Sequence, residues 1–235
     1  MTNLLLEAPR FNHIDLNLPK LQRETIDGIR YYKIPITEEL ERFVSITSVT
    51  SHFNKEKFVG WRKRVGDIEA NRITKAATDR GTAMHSLVEN YLLNEPLKDY
   101  SPLPKLLFDI AKPALNEIGD IYGIELGMYS EYFKIAGTTD CIADFRGELS
   151  IIDFKTSKEP KPRDWIDSYF VQAVAYSIMF YELTGYEAKQ LVIIMACENG
   201  ECEVYIEKDI QKYLKLLVKY IKKFTEDKLN EYQSR

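Results

Sequence analysis

Two apolar runs near the middle of the chain predict a β-hairpin. The runs Ile142–Phe145 and Leu149–Phe154 flank the pair Arg146-Gly147, and glycine readily adopts the positive φ that a tight turn requires. A loop of two or four residues centred on this pair sets the register, because residues equidistant from the turn then face each other. A three-residue loop or a bulge would shift that register.

In this register two carboxylates share one patch of the hairpin. Asp140 faces Asp153, at a Cβ separation of about 4.5–5.5 Å, and side-chain alternation puts Lys155 on the same face. Like charges at facing positions destabilise a sheet, more so among apolar neighbours. A divalent cation would relieve the repulsion, and two carboxylates suit Mg²⁺ or Mn²⁺.

The lysine beside these carboxylates adds a candidate catalytic group. Its ammonium could orient or activate a water, or stabilise developing negative charge. The alternative is that the aspartate is exposed and forms an ordinary salt bridge at the end of the strand. A single Asp-x-Lys sequence most often has this structural role. The facing position of Asp140 favours the metal-site hypothesis.

Hydrophobic periodicity predicts further elements on both sides of the hairpin. Ile29–Ile34 suits a short strand, and Phe43–Thr50 suits a strand or a helix cap, with phosphate binding by its hydroxyls as the alternative. A helix is expected to begin at Gly81, with Thr82 as its N-cap. The other predicted elements are helices at 105–119, 165–183 and 210–224 and strands at 124–133, 189–197 and 201–207.

Four residues on these elements are further candidates for a site. His85 could ligate a metal through one ring nitrogen, although a lone histidine is more often structural. Gln172 and Tyr176 project from one helix face, where they could hold a phosphate, a water or the lysine; the alternative places Tyr176 in the core and Gln172 on the surface. Glu131 is either a further acidic ligand or an exposed strand residue.

The segment Lys55–Arg80 is basic in a chain of net charge −4. Phe58 and Trp61 lie among its cationic side chains, a pattern that suits tracking of a nucleic-acid backbone with base stacking. A solvated helix whose aromatics face the core is the alternative. The candidate DNA-binding residues are Arg62, Lys63, Arg64, Arg72, Lys75 and Arg80.

Composition excludes several classes of protein. The chain has 235 residues, 45% of them hydrophobic and 29% charged, as in an ordinary globular protein. No apolar run approaches about 18 residues, so no membrane partner is expected. Three cysteines without CxxC spacing cannot supply four thiolates, which excludes an iron–sulfur cluster and fits a reducing cytoplasm. The first residues include acids and lack the pattern of a signal peptide or a convincing mitochondrial presequence.

Four short motifs together resemble the RecB-like branch of the PD-(D/E)xK nuclease superfamily, in particular its mitochondrial genome maintenance and phage exonucleases. They are Gly81 to His85, Gly137 to Asp140, Asp153-Phe154-Lys155 and Gln172 to Tyr176, and Ile46–Thr50 is similar to the same subgroup. Each motif alone is weakly specific, but their order and spacing over residues 45–180 make the combination fairly specific.

The resemblance implies an α/β fold, a mixed sheet flanked by helices with the core order α-β-β-β-α-β. It implies a single nuclease domain, with residues 1–80 as a DNA-facing N-terminal lobe and 81–235 as the catalytic core. The cluster cysteines of some relatives and the helicase region of RecB are absent. A stand-alone phage or bacterial enzyme is therefore expected.

By motif position, the resemblance implies roles for individual residues. His85, Asp140 and Asp153 are expected to bind one or two Mg²⁺ or Mn²⁺ ions, with Lys155 catalytic. Asp140, Asp153, Gln172 and Tyr176 complete the expected catalytic set.

The implied activity is that of a deoxyribonuclease, an exonuclease acting on single-stranded DNA or DNA ends in degradation, repair or recombination. A site-specific or structure-specific endonuclease on the same core, and a non-catalytic DNA-binding protein, are the alternatives.

Overall fold

A computed structural model describes residues 11–36, 40–97 and 101–233. In these ranges the chain forms an eight-stranded mixed sheet with helices on both faces, which confirms the predicted fold class. The prediction about a leader falls partly on residues 1–10, outside the described residues. The strands are β1 (Gln22–Ile26), β2 (Ile29–Ile34), β3 (Glu41–Ser45), β4 (Ile118–Ser130), β5 (Ile135–Phe145), β6 (Glu148–Ser157), β7 (Gln190–Cys197) and β8 (Cys202–Glu207).

The helices pack on the two faces of this sheet. The described helices are α1 (Ile46–Phe53), α2 (Lys55–Val65), α3 (Asp67–Leu92), α4 (Pro102–Leu115), α5 (Asp167–Thr184) and α6 (Ile210–Gln233). Alternation along β6 sends Ile151 into the core under α1, α5 and α6, and Ile152 into the core under α3 and α4. The order α3-β4-β5-β6-α5-β7, with α4 inserted between α3 and β4, contains the predicted α-β-β-β-α-β core. None of the helices in the described part of the chain is both long and apolar enough to cross a bilayer.

The central hairpin has the predicted two-residue turn. Arg146 and Gly147 have φ values of 52° and 81°, the positive pair of a type I′ turn, whose twist matches that of the flanking strands. Phe145 pairs with Glu148, and Cys141 with Ile152. The next position in this register places Asp140 opposite Asp153, as predicted.

Strand β5 has an unusual arrangement of neighbours. Strand β4 follows one edge of β5 along almost its whole length. The other edge is shared: β3 runs parallel to Ile135–Ala136, whereas β6 pairs antiparallel with Cys141–Phe145. Residues 137–140 of β5 therefore have no strand partner on this edge among the described residues. We call this opening the fork.

The helix expected to begin at Gly81 begins instead at Asp67, so this predicted boundary and the Thr82 cap are wrong. The preceding turns are helical because they contain good helix formers and ion pairs one turn apart, Arg72 with Glu69 and Lys75 with Asp79. The proposed boundary between residues 80 and 81 lies inside this helix, and β1–β3 join the sheet of the core strands. The DNA-facing role of residues 1–80 stays a prediction.

Candidate active site

The fork leaves the backbone of Phe154 without a strand partner on its β5 side, and two candidate ligands take that place. The N–H of Phe154 donates to Oδ2 of Asp140 at 2.8 Å. The carbonyl of Phe154 lies 2.8 Å from Nε2 of His85. On its other edge β6 pairs normally with β7. The backbone between Asp153 and Lys155 thus fixes the positions of both Asp140 and His85.

The contact with a carbonyl determines which nitrogen of His85 is available. Only a protonated Nε2 can donate to the Phe154 carbonyl, so in the neutral ring Nδ1 keeps its lone pair. Nδ1 lies 3.8 Å from Oδ1 of Asp140. A metal-binding histidine usually anchors its other ring N–H on a carbonyl or carboxylate, and His85 has that arrangement.

Asp153 is the most buried charged group of the site, with 2% of its surface exposed. Lys155 Nζ forms an ion pair with its Oδ2 at 2.5 Å. Oδ1 has no hydrogen-bond partner among the described residues. A buried acceptor in this condition costs about 1–3 kcal/mol, more when charged.

The pKa values of this pair reflect its burial. Burial raises the pKa of Asp153 to about 6, the charge on Asp140 adds to the shift, and the cation of Lys155 opposes it. Burial alone would lower the pKa of the Lys155 ammonium, but Asp153 and Asp140 outweigh it and raise that pKa above its ordinary value. The lysine is therefore a stable cation, and Asp153 loses its proton at a higher pH than a free aspartate does.

Glu125 joins the site from β4 and was missed by the sequence analysis. Ile124 pairs with Cys141, and Leu126 with Thr139, which places Glu125 opposite Asp140. Ligand atoms of His85, Glu125 and Asp140 all lie within 4.8 Å of one another. Glu125 is exposed as a whole residue. Burial of its carboxyl group nevertheless raises the pKa of Glu125 to about 7, and the negative charge of Asp140 adds to the shift.

The two-residue alternation of side chains along β4 does not indicate that Glu125 belongs to the site. Two irregularities shift the β4–β5 register between Ile118 and Gly123, and Glu125 itself has a φ of 47°, outside the strand region. The acid considered from sequence, Glu131, lies beyond the end of β4, is exposed, and donates its backbone N–H to Glu182. The group of acids that could hold a metal ion thus includes Glu125 and not Glu131.

Gln172 and Tyr176 form the wall of the site opposite α3. The Gln172 amide donates to the Tyr176 hydroxyl at 3.0 Å. Only 1% of Tyr176 is exposed, and burial raises its pKa well above the ordinary value, with Asp140 and Asp153 adding to the shift. Both residues line a cavity of about 540 Å³ together with His85, Glu125 and Asp140, which we call the metal-site cavity.

The predicted DNA-binding residues lie on α2 and α3, mostly in ion pairs. Helix α2 buries none of its residues. Arg80 is held by Thr156 and Glu198, where it ties α3 to the ends of β6 and β7. The others are Arg62 paired with Asp67, Arg72 with Glu69, Lys75 with Asp79, and Lys63 and Arg64 in the last turn of α2. Their contact with DNA stays a prediction.

The three facing carboxylates, the anchored histidine and the partly buried lysine, on this order of helices and strands, match the pattern of the RecB-like PD-(D/E)xK nucleases that the motifs resemble. No protein-family model matches the chain. Human mitochondrial genome maintenance exonuclease 1 is 27% identical over 185 residues, 71% of this chain and 53% of the human protein. The mouse protein of that name is 42% identical over 64 residues, 26% of this chain and 19% of its own. These similarities confirm the resemblance inferred from the motifs.

The extent of the similarity is limited. This chain spans about half the length of the human relative it matches. A solved structure from Eubacterium rectale, provisionally described as an exonuclease, superposes with a TM-score of 0.46 at 16% identity, over 65% of this chain and 66% of that one.

Proposed function

We propose that this protein is a metal-dependent exonuclease that hydrolyses phosphodiester bonds in DNA, acting on single strands or on DNA ends. The observation that carries the proposal is the partnerless, buried oxygen of Asp153 beside Asp140 and Lys155. The exonuclease relatives support nuclease activity.

The donor atoms fit a hard divalent cation. Asp140, Asp153 and Glu125 offer carboxylate oxygens, the ligands that Mg²⁺ and Mn²⁺ prefer, and His85 offers one imidazole nitrogen. A cation held by these residues would give the oxygen of Asp153 its missing partner and reduce repulsion between the acids. When bound, such an ion polarises a phosphate oxygen and lowers the pKa of a bound water. Three acids are enough to hold one or two ions.

The protein's own residues would position the reacting groups. Lys155, kept cationic by Asp153 and Asp140, would orient the attacking water or stabilise negative charge on the phosphate. The carbonyl of Phe154 holds His85 so that Nδ1 keeps its direction. The hydrogen bond from Gln172 fixes the Tyr176 hydroxyl at the cavity wall, where it could contact a phosphate oxygen.

The test is the digestion of end-labelled single-stranded and double-stranded DNA with Mg²⁺ or Mn²⁺. We expect a ladder that shortens from one end, and no cleavage by Asp153→Asn, which should still bind DNA because only the site's charge changes. Asp144→Asn is the matched control, since Asp144 lies on β5 and pairs with Leu149 near the hairpin turn. Discrete internal fragments would indicate an endonuclease, and a mobility shift without cleavage a binding protein. Full activity in a folded Asp153→Asn variant would rule out the assigned site.

A further inference from the structure

A second, larger cavity adjoins the metal-site cavity. It has a volume of about 840 Å³ and shares Arg30, Thr47 and Gln172 with the metal-site cavity. The β1–β2 hairpin, α1, α2, the start of α5 and the end of α6 contribute its walls. We call this cavity the strand groove. Because the two cavities have three wall residues in common, a chain-like ligand could extend from one into the other.

The charge of the strand groove differs from that of the whole protein. The chain contains 36 acidic and 32 basic residues, yet no Asp or Glu lines the groove in the described part of the chain. Its ionic lining consists of Arg30, Lys55 and Lys228, of which Lys228 is paired with Glu231. Hydroxyls of α1, including Thr47, Ser48 and Ser51, line it as well. A groove of cations and neutral hydrogen-bonding groups suits a polyanion.

The β1–β2 hairpin brings two arginines to the metal-site cavity. Arg23 and Arg30 both line it, and neither guanidinium lies within ion-pair distance of a carboxylate among the described residues. Their neighbours Lys33 and Arg42 behave differently, since both pair with Glu24. An arginine fork matches the geometry of a phosphate group. Arg30 also lines the strand groove, so it lies where the two cavities meet.

Aromatic side chains give the groove affinity for bases. Phe58 is 46% exposed and lines the groove together with Tyr169. The ring of Tyr169 also lies 5.1 Å from Nζ of Lys155, so a residue of the groove wall contacts the proposed catalytic lysine. Exposed aromatic rings along a basic groove stack on bases without regard to sequence. A base in a duplex is already stacked and paired, so this contact favours a single strand.

We propose that the strand groove binds single-stranded DNA on one side of the phosphate to be cleaved, with Arg30 on the adjacent phosphate and Phe58 stacked on a base. This inference rests on the proposed nuclease function and identifies its substrate strand. The inference assigns contacts with the DNA strand to residues of β2, α2 and α5. These contacts are additional to those of the cationic residues predicted along α2 and α3.

The electrostatic part is tested by binding of a fluorescein-labelled 12-nucleotide oligothymidine, measured by anisotropy in EDTA at several salt concentrations. Arg30→Gln should weaken binding and reduce the salt slope by about 0.7, the value for one lost contact with a single strand. The matched control is Arg146→Gln, because Arg146 pairs with Glu117 at the hairpin turn and lines neither cavity. Arg30→Lys should retain the slope. A slope for Arg30→Gln equal to that of the control would overturn the inference.

The stacking part is tested with Phe58→Ala against Val59→Ala. Both side chains are exposed on α2, but Val59 lines a different cavity. Phe58→Ala should weaken binding of oligothymidine about tenfold and leave binding of an abasic oligonucleotide of equal length unchanged. Val59→Ala should bind both as the unaltered protein does. Equal losses for both oligonucleotides, or tighter binding of a blunt duplex than of the single strand, would overturn the inference.

Cleavage assays separate this inference from the proposed function. If the protein cleaves DNA and the Arg30 and Phe58 variants bind and cleave like their controls, the groove assignment fails and the nuclease assignment stands. If the variants lose binding as expected but the unaltered protein cleaves nothing with Mg²⁺ or Mn²⁺, the proposed function fails and the binding groove stands.

Discussion

Substitution of Gly137 by alanine should damage the active site through Tyr176. A Cβ built on Gly137 would lie 2.6 Å from Cε1 of Tyr176 and 3.0 Å from Cγ2 of Ile46. The tyrosine ring cannot easily move away, because it is buried and its hydroxyl is held by Gln172. The glycine of this motif therefore makes room for the tyrosine of another motif, and the pair fixes the wall of the metal-site cavity.

The size of the effect follows from this geometry. Ordinary van der Waals contact begins near 3.4 Å, so the ring must move by roughly 0.8 Å, and such overpacking costs about 1–3 kcal/mol. Gly137 is not among the glycines with positive φ, so alanine also reduces the entropy of the unfolded chain and returns about 0.4–1 kcal/mol. The net loss should lie between about 0 and 2.6 kcal/mol, which lowers the Tm by up to about 10 °C in a protein of this size.

The assay compares thermal melting and DNA cleavage in Gly137→Ala and Gly119→Ala. Gly119 also lies in a strand, but a Cβ there would meet Asp144 at an ordinary 3.5 Å. We expect Gly119→Ala to be close to neutral, and Gly137→Ala to lose more activity than its stability alone explains, because the Tyr176 hydroxyl is displaced. If the two variants melt and cleave alike, the close packing of Tyr176 against β5 is wrong.

Two further predictions concern the candidate metal ligands. His85→Ala should weaken Mn²⁺ binding in a calorimetric titration while excess Mn²⁺ partly restores cleavage; superimposable titration curves would make His85 a structural residue. In EDTA, melting experiments should show stability falling as pH rises from about 4 to 7. Asp153 and Glu125 have folded pKa values of about 6 and 7 against 3.8 and 4.5 for the free groups, so in this window the folded state binds more protons than the unfolded state. Mn²⁺ should restore stability most above pH 7, and a metal-free Tm that rises across this range would contradict the argument.

The hairpin at the centre of the site was predictable because its signals are local. Arg146-Gly147 specifies a tight turn, and the apolar runs on either side specify which faces are buried. The register then follows from the turn, so that Asp140 and Asp153 could be paired before the structure was known. Helix α5 was predictable for a similar reason, since Gly185 ends it in the left-handed conformation with a φ of 76°.

The parts that could not be predicted depend on contacts between distant segments. The start of α3 was misplaced because Gly81 suggests a boundary, whereas the ion pairs of the preceding turns continue the helix. Glu125 reaches the site only because bulges realign β4 with β5. Arg23 and Arg30 enter the site because β1–β3 join the sheet through a two-residue parallel contact between β3 and β5, which leaves no periodic signal in the sequence.

The fork explains why these motifs have the spacing they have. β3 holds β5 at Ile135–Ala136 and β6 holds it from Cys141 onward, so residues 137–140 must cross the gap between two different strand partners. The first of them is the glycine under Tyr176, and the last is Asp140, whose carboxylate replaces the missing strand by accepting the Phe154 N–H. The same gap frees the Phe154 carbonyl for His85. A single interruption of strand pairing thus creates the positions of Asp140 and His85 and holds them beside Lys155 and the buried Asp153. A cation bound there would give the unpaired oxygen of Asp153 its partner.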